Sequence, residues 1–365
     1  MTREAFETYL QSIAPADREA MSRAAQRQAE LAKPPGSLGK LEEISIRLAG
    51  VTGRVKNEVE RRAVLVFAAD NGVVAEGVSC SPQSVTLSQA VNMTRHLTGM
   101  SALARSFGDE VIVTDVGIAA QTHCPAIRDR KIRPGTRNFA KEPAMTQAEL
   151  LSALEAGIEA VGDAKSLGIQ AVGVGEMGIG NTTTSSAVLC ALLGVPVEDV
   201  TGRGGGLTDE AFLKKRAVIA DALALHRPDP SDPMDVLQKV GGYDLAAMTG
   251  AFLACAKERI PAVVDGFISI VAALCAQRLC DQVRDYVFLS HASYEIGYQL
   301  AARELGQEAC LLLGMRLGEG SGCPIMFQVL RAACAVMNHM ATFREASIVD
   351  DYLTEIRKTD AFSVG

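Results

Sequence analysis

The chain has 365 residues, 48% hydrophobic and 22% charged, which is too apolar for a disordered protein and too long for one core, so a large domain with a smaller satellite is expected. A formal net charge of -7 without Lys/Arg runs excludes the electrostatic footprint of a nucleic-acid or anionic-membrane binder and leaves a small molecule as the expected partner. Glycine reaches 33 residues against 5% aromatics and no Trp, a balance that favours α/β architecture with tight strand-to-helix turns over an all-β sandwich.

The opening MTREAFETYLQSIAPADREAM is an amphipathic helical pattern, not a basic-then-apolar leader, and no later apolar run spans a membrane uninterrupted. A cytoplasmic protein is expected. Residues 1–50 keep helical spacing with one break at KPPGSLG, 33–39, and form a separate helical element. From residue 60 the pattern turns to short β-branched runs that end in Gly/Asp/Asn loops and lead into helices, the rhythm of βα units in a parallel sheet. Strands are expected at 63–69, 111–116, 171–174, 262–264 and 287–289. RPDPSDP at 227–233 reads as a linker or a surface loop. After Gly322, PIMFQVLRAACAVMNHMATF is helical by period and is expected to pack against the N-terminal helices.

Four constellations carry possible chemistry. GVGEMGIGNTTT at 173–184 follows a strand and precedes a helix expected to begin near Ser185. Glycines let backbone amides approach an anion, Thr182 and Thr183 offer hydroxyls, and a helix N-terminus adds positive potential. Phosphate binding and tight packing are both open on this pattern alone, which fits neither the Walker A nor the full dinucleotide fingerprint. TGRGGGL at 201–207 precedes a helix with Lys214 and Lys215; taken alone, the lysines read as solvated. MRLGEGSG at 315–322 sets Glu319 between glycines, where a lone carboxylate reads first as a solvated turn residue and second as a group presented to a cleft. Asp70-Asn71-Gly72 at a strand end reads as a turn, with Ser81 and Gln89 downstream as hydrogen-bonding candidates for a planar heterocycle.

Nine cysteines stand singly, mostly in apolar stretches, and read as reduced core residues. The five histidines are scattered, so no protein-bound metal and no cofactor are expected. Ser290-His291 with Glu295 lacks the elbow motif and a third partner of a serine hydrolase.

Six ordered stretches resemble the nicotinate-nucleotide dimethylbenzimidazole phosphoribosyltransferases: KPPGSLGKLE at 33–42, AADNGVVAEGVS at 68–79, GVGEMGIGNTT at 173–183, KVGGYDLAAMTG at 239–250, VVDGFIS at 263–269 and MRLGEGSG at 315–322. The resemblance implies a Rossmann-like parallel sheet in a large α/β domain, 51–322, and a small all-helical domain from both chain ends, 1–50 together with 323–365, working as a homodimer. It implies transfer of ribose 5-phosphate from nicotinate mononucleotide to a benzimidazole-type base. Glu319 falls on the family's catalytic glutamate, with Glu176 as a second catalytic group stabilising an oxocarbenium-like transition state or bracing the loop. The nucleotide and phosphate site would take Gly175, Gly178, Asn181, Thr182 and Lys215, and the base site Ser81, Gln89 and Leu317. Asn71 stands where the family's pattern has His, and 201–216 is a variable segment. A non-catalytic nucleotide- or base-binding protein is disfavoured by the retained Glu319. A dinucleotide oxidoreductase is disfavoured because the first strand lacks the full glycine fingerprint.

Overall fold

The computed structural model describes residues 1–353. Three helices open the chain: α1 (Arg3–Gln11), α2 (Arg18–Glu30) and α3 (Lys40–Thr52). Thr2 and Asp17 cap the first two by accepting the amides of Ala5 and Ala20, donors that a helix start leaves free. The helical segment therefore breaks at 12–17 as well as at 33–39. Pro15 and the Asp17 cap make the first break, a quieter signal than the doubled proline of the second.

The sheet begins with β1 (Arg62–Ala69), followed by α4 (Ser84–Thr94), α5 (Gly99–Phe107), β2 (Glu110–Gly117) and β3 (Ile127–Asp129). Next come α6 (Gln147–Ser166), β4 (Ala171–Met177), α7 (Asn181–Leu193), α8 (Val197–Val200), α9 (Asp209–His226), α10 (Pro233–Val240) and α11 (Tyr243–Glu258). The described chain closes with β5 (Ala262–Val264), α12 (Phe267–Leu279), β6 (Val287–Leu289), α13 (Gly297–Leu305) and α14 (Cys323–His339). All six strands pair in parallel in the order β3-β2-β1-β4-β5-β6, the doubly wound arrangement of a Rossmann-like sheet flanked by helices. Every residue of β1 and β4 is buried, which is why these strands read as continuous apolar runs instead of alternating ones.

Three expectations are corrected. β3 is an additional strand that the pattern does not announce, because Ile127–Asp129 carries one β-branched residue and no periodicity. β4 runs on to Met177, since Gly175 and Glu176 still pair with Val66 and Phe67 of β1, so both are strand residues and not loop residues. α7 starts at Asn181, earlier than the expected 185, because Gly180 at φ 94° completes the turn and frees the next residue for the helix.

α14 packs against α3 and also against β1, β4 and β5, while Leu31 and Thr342 form an antiparallel bridge joining the two ends. Positions 354–365 of the expected small domain lie outside the described residues. The 227–233 segment is a surface connection: Asp232 caps α10, which packs on α6 and α7. Six cysteines are buried, but Cys124 and Cys310 are half-buried and Cys80 is exposed, so the expectation of core cysteines fails at Cys80.

Candidate active site

The order of the sheet makes the direction of winding reverse between β1 and β4, and a crevice opens beyond their carboxyl ends. The two loops that follow these strands touch. Asn71 donates from Nδ2 to the carbonyl of Ile179 at 3.4 Å, and a Cβ on Gly178 would collide with the carbonyl oxygen of Ala69. Thr86 of α4 links both loops: its hydroxyl donates to Asp70 Oδ1 at 2.7 Å and accepts the amide of Ile179 at 3.2 Å. Asp70 and Asn71 are both buried, which corrects the reading of Asp70-Asn71-Gly72 as a simple turn.

Glu319 lies in a turn where Gly318, Glu319 and Gly320 all have left-handed backbone, with φ of 79°, 63° and 84°. Such a conformation is strained for a glutamate and persists only where its surroundings enforce it. The amide of Glu319 donates to Glu176 Oε1 at 3.0 Å, and those of Gly320 and Gly322 donate to Asp265 Oδ2 and Oδ1 at 3.0 and 2.6 Å. Glu319 itself is 8% exposed, not a solvated turn residue. Its Oε1 accepts Gln89 Nε2 at 3.2 Å, and its Oε2 has no partner among the described residues. Burial pushes its carboxyl above the usual carboxylate range, with the hydrogen bond from Gln89 and the nearby Thr98 hydroxyl pulling the other way.

A polar chain runs behind this turn. Glu176 Oε2 accepts Asn181 Nδ2 at 2.5 Å, and the same nitrogen donates to Asp244 Oδ2, in the first turn of α11, at 3.0 Å. Burial pushes Glu176 up to about 8, Asp265 to about 7 and Asp244 to about 6, in each case against hydrogen bonds that favour the ionised form.

The 201–207 segment folds over the N-terminus of α7. Lys215 is 1% exposed, which overturns its reading as a solvated lysine. Its Nζ donates to Thr182 Oγ1 at 2.9 Å and to the carbonyl of Gly202 at 3.2 Å. Desolvation pulls its ammonium down to about 8, partly opposed by the Glu295 carboxylate. Lys214, in contrast, is exposed.

These pieces line one cleft that opens to solvent. It is lined by 79–81 on one side, Glu176 to Thr182 on the floor, 203–205 above, and 265–269 with 316–319 opposite. Of the candidates from sequence, Glu176, Gly178, Asn181, Thr182, Ser81, Leu317 and Glu319 line it directly. Gln89 reaches it through Glu319, and Lys215 sits behind Thr182. Gly175 does not line it; it lies in β4 beneath the backbone of Glu319 and Gly320. Leu317 is 56% exposed at the lip, and the Ser81 hydroxyl lies beside the Cys80 thiol.

Sequence reasoning missed Asp244, Asp265, Thr86 and Arg316, and weighed Glu295 only as a companion of Ser290-His291. Asp244 and Asp265 stand inside recognised stretches, GGYDLAAM and VVDGFIS, each as the one charged residue in an apolar run. A charge in such a setting is itself a signal of a buried, donor-rich environment. Asp265 lies beside Ser290-His291 without completing a triad, because Ser290 Oγ at 3.1 Å and Asp265 Oδ1 at 3.7 Å face the same ring nitrogen, His291 Nδ1. Ser290 and His291 are fully buried, so no nucleophile faces the cleft there.

A family model described as phosphoribosyltransferase matches residues 13–348. The chain belongs to this family. It is therefore an enzyme, a pentosyltransferase. The nicotinate-nucleotide--dimethylbenzimidazole phosphoribosyltransferase of Clostridium perfringens strain ATCC 13124 is 49% identical over 97% of this chain and 98% of its own length. The protein of the same name from Clostridium tetani is 43% identical over 97% and 98%. The crystal structure of CobT from Thermus thermophilus superposes with a TM-score of 0.87 at 43% identity, covering 91% of this chain and 99% of that one. Among the described residues of this phosphoribosyltransferase, no helix is long and apolar enough to cross a membrane, and no group of three or more His, Cys, Asp or Glu side chains is arranged to hold a metal ion.

Proposed function

We propose that the enzyme transfers ribose 5-phosphate from nicotinate mononucleotide to 5,6-dimethylbenzimidazole or a related base, giving α-ribazole 5'-phosphate and nicotinate for the lower ligand of cobalamin. One observation carries this reading: a carboxylate, Glu319, stands on a glycine turn across one cleft from the N-terminus of α7, with one oxygen held by Gln89 and the other without a partner among the described residues. An acceptor for a proton and an anion site thus face the same space.

The phosphate would sit against the amides at the start of α7, with Thr182 and Gly178 beside it and the Lys215 ammonium behind. The base would lie on Leu317 with Ser81 and Gln89 at its edge. In the donor the leaving nitrogen is a pyridinium; when its bond to C1 breaks, the electron pair returns to the ring and nicotinate departs without protonation. The incoming base attacks C1 through one nitrogen while Glu319 takes the proton from the other, help worth roughly 10²–10⁴-fold in rate. Burial raises the basicity of Glu319, which suits it to this task. Attack opposite the departing ring inverts the β donor to an α riboside.

Of the two parts expected of Glu176, the brace is the better supported: its two oxygens are engaged, accepting the Glu319 amide and Asn181 Nδ2. Gly175 gives the turn room and does not bind phosphate. The reading includes a cytoplasmic homodimer and a small domain of 1–50 with 323–365 beside a large one of 51–322. Exposed Leu97, Tyr294, Leu312 and Leu313 support a subunit contact, and the α3–α14 packing supports the division.

The test is to incubate the purified protein with nicotinate mononucleotide, with and without 5,6-dimethylbenzimidazole, and follow nicotinate. Base-dependent release, unchanged by EDTA because the leaving group already carries the charge it must lose, is expected. Release without a base, or none with any of a panel of benzimidazoles, purines and phenols, contradicts the reading.

A further inference from the structure

VVDGFIS at 263–269 is one of the recognised stretches, yet neither substrate nor proton transfer has claimed its single charged residue. Asp265 follows β5 and is 2% exposed. A buried carboxylate is costly unless donors surround it. Among the described residues its ion-pair neighbour is His291, whose imidazole burial holds neutral by pulling it down to about 4. The donors are instead backbone amides, those of Gly320 at 3.0 Å and Gly322 at 2.6 Å. Gly322 is the N-cap of α14, so the carboxylate also sits at the positive end of a 17-residue helix.

Asp265 is itself anchored on two sides. Its amide donates to Ser269 Oγ at 3.2 Å, and that hydroxyl donates to the carbonyl of Val174 in β4 at 2.9 Å. Ser290 Oγ donates to the carbonyl of Asp265 at 3.0 Å. The turn that carries Glu319 is thus gripped by Glu176 before its apex and by Asp265 after it, and its left-handed backbone at residue 319 is held from both ends.

We propose that Asp265 is a positioning residue of the transfer reaction, its carboxylate fixing the amides of Gly320 and Gly322 so that the Glu319 side chain stays aimed into the cleft. The proposal rests on the reading of Glu319 as the proton acceptor. A misplacement of about 1 Å at a reacting group costs on the order of 10²-fold in rate, so the grip matters apart from any contact Asp265 itself makes in the cleft.

Asp265→Asn leaves one acceptor where there were two and turns an NH₂ group toward an amide donor. Three readouts are expected: faster deuterium exchange in peptides covering 318–322, a kcat lower by about 10²-fold with both Michaelis constants little changed, and no further loss when the change is made in the Glu319→Gln background, because both residues act on one step. Wild-type exchange at 318–322, or faster exchange with wild-type kcat, overturns the proposal. A loss that multiplies with that of Glu319→Gln overturns the positioning role while leaving Glu319 as the base. Full turnover by Glu319→Gln alone overturns the base role and the positioning role with it. If Asp265→Asn does not fold, Ser290→Ala, which removes the donor to the Asp265 carbonyl together with the contact to His291 Nδ1 and leaves the Asp265 carboxylate in place, is expected to lower kcat in the same direction by a smaller factor at unchanged Michaelis constants. An unchanged kcat in that folded variant overturns the proposal.

Discussion

The inner wall of the cleft and its outer lip are built on opposite principles, although a single residue separates them at one point. Glu319 is 8% exposed with its backbone held at both ends, whereas Leu317, in the same stretch, is 56% exposed. The wall consists of buried carboxylates and Asn181 joined across β4, β5, α7 and α11. The lip consists of 79–81, the glycine-rich 203–206 segment and Leu317, all half-buried or exposed. A reaction that needs a proton taken at one atom demands the first kind of construction; admitting and sorting bases demands the second.

The largest effect should come from the wall. Glu319→Gln keeps the shape of the side chain and its Gln89 contact but cannot accept the proton, so turnover should fall by about 10²–10⁴-fold with unfolding temperature nearly unchanged. Steady-state rates beside a melting curve check this; near-normal turnover would mean the wall is architecture only. Next in size is Lys215→Met. A buried ammonium behind Thr182, beside the proposed nucleotide site, would supply a charge-assisted hydrogen bond worth about 1.5–3 kcal/mol, so the Michaelis constant for nicotinate mononucleotide should rise by roughly 10–100-fold while that for the base holds. The apolar replacement also leaves the buried Gly202 carbonyl without its donor, so a melting curve accompanies the kinetics. Equal changes in both Michaelis constants would place Lys215 with the fold and not with the nucleotide.

The wall should also betray itself in stability against pH. Glu176 has its carboxyl raised to about 8, so between about 4.5 and about 8 the folded chain holds a proton that the unfolded chain has released. Stability therefore falls as pH rises through this window, and its contribution is fully present only below the unfolded value. Glu176→Gln should flatten the decline; melting curves of both proteins from about pH 5 to about pH 8, compared as a difference, measure it. A parallel decline in the two would deny the burial cost. The smallest effect is expected at the lip. Leu317→Ala removes an exposed side chain, so kcat with 5,6-dimethylbenzimidazole should change by less than about tenfold while the ranking of benzimidazole, purine and phenol acceptors shifts. A collapse of kcat with every base would move Leu317 into the wall.

The fold was legible where burial is continuous. β1 and β4 sit at the centre of the sheet and announce themselves as apolar runs, whereas β3 is a three-residue edge strand held by its pairing with β2. The turn around Glu319 was legible because only glycines tolerate its backbone on either side. What surrounds that turn was not. The partners of Glu319 and Gly320 are Glu176 and Asp265, distant in sequence and of a type that usually signals solvent. Lys215 misled for the same reason: its burial depends on Thr182 and Gly202, contributed by other elements. Local pattern reveals what the backbone needs, and long-range polar pairing has to be seen in the folded chain.

The central claim is that Glu319 removes the proton of a base that attacks C1 from the face opposite the departing nicotinate. The direct measurement is the anomeric configuration of the product made from nicotinate mononucleotide and 5,6-dimethylbenzimidazole, read by proton NMR of the purified ribotide. The account predicts the α anomer alone. A β anomer, or a mixture of the two, would require a covalent or free oxocarbenium intermediate and would contradict it.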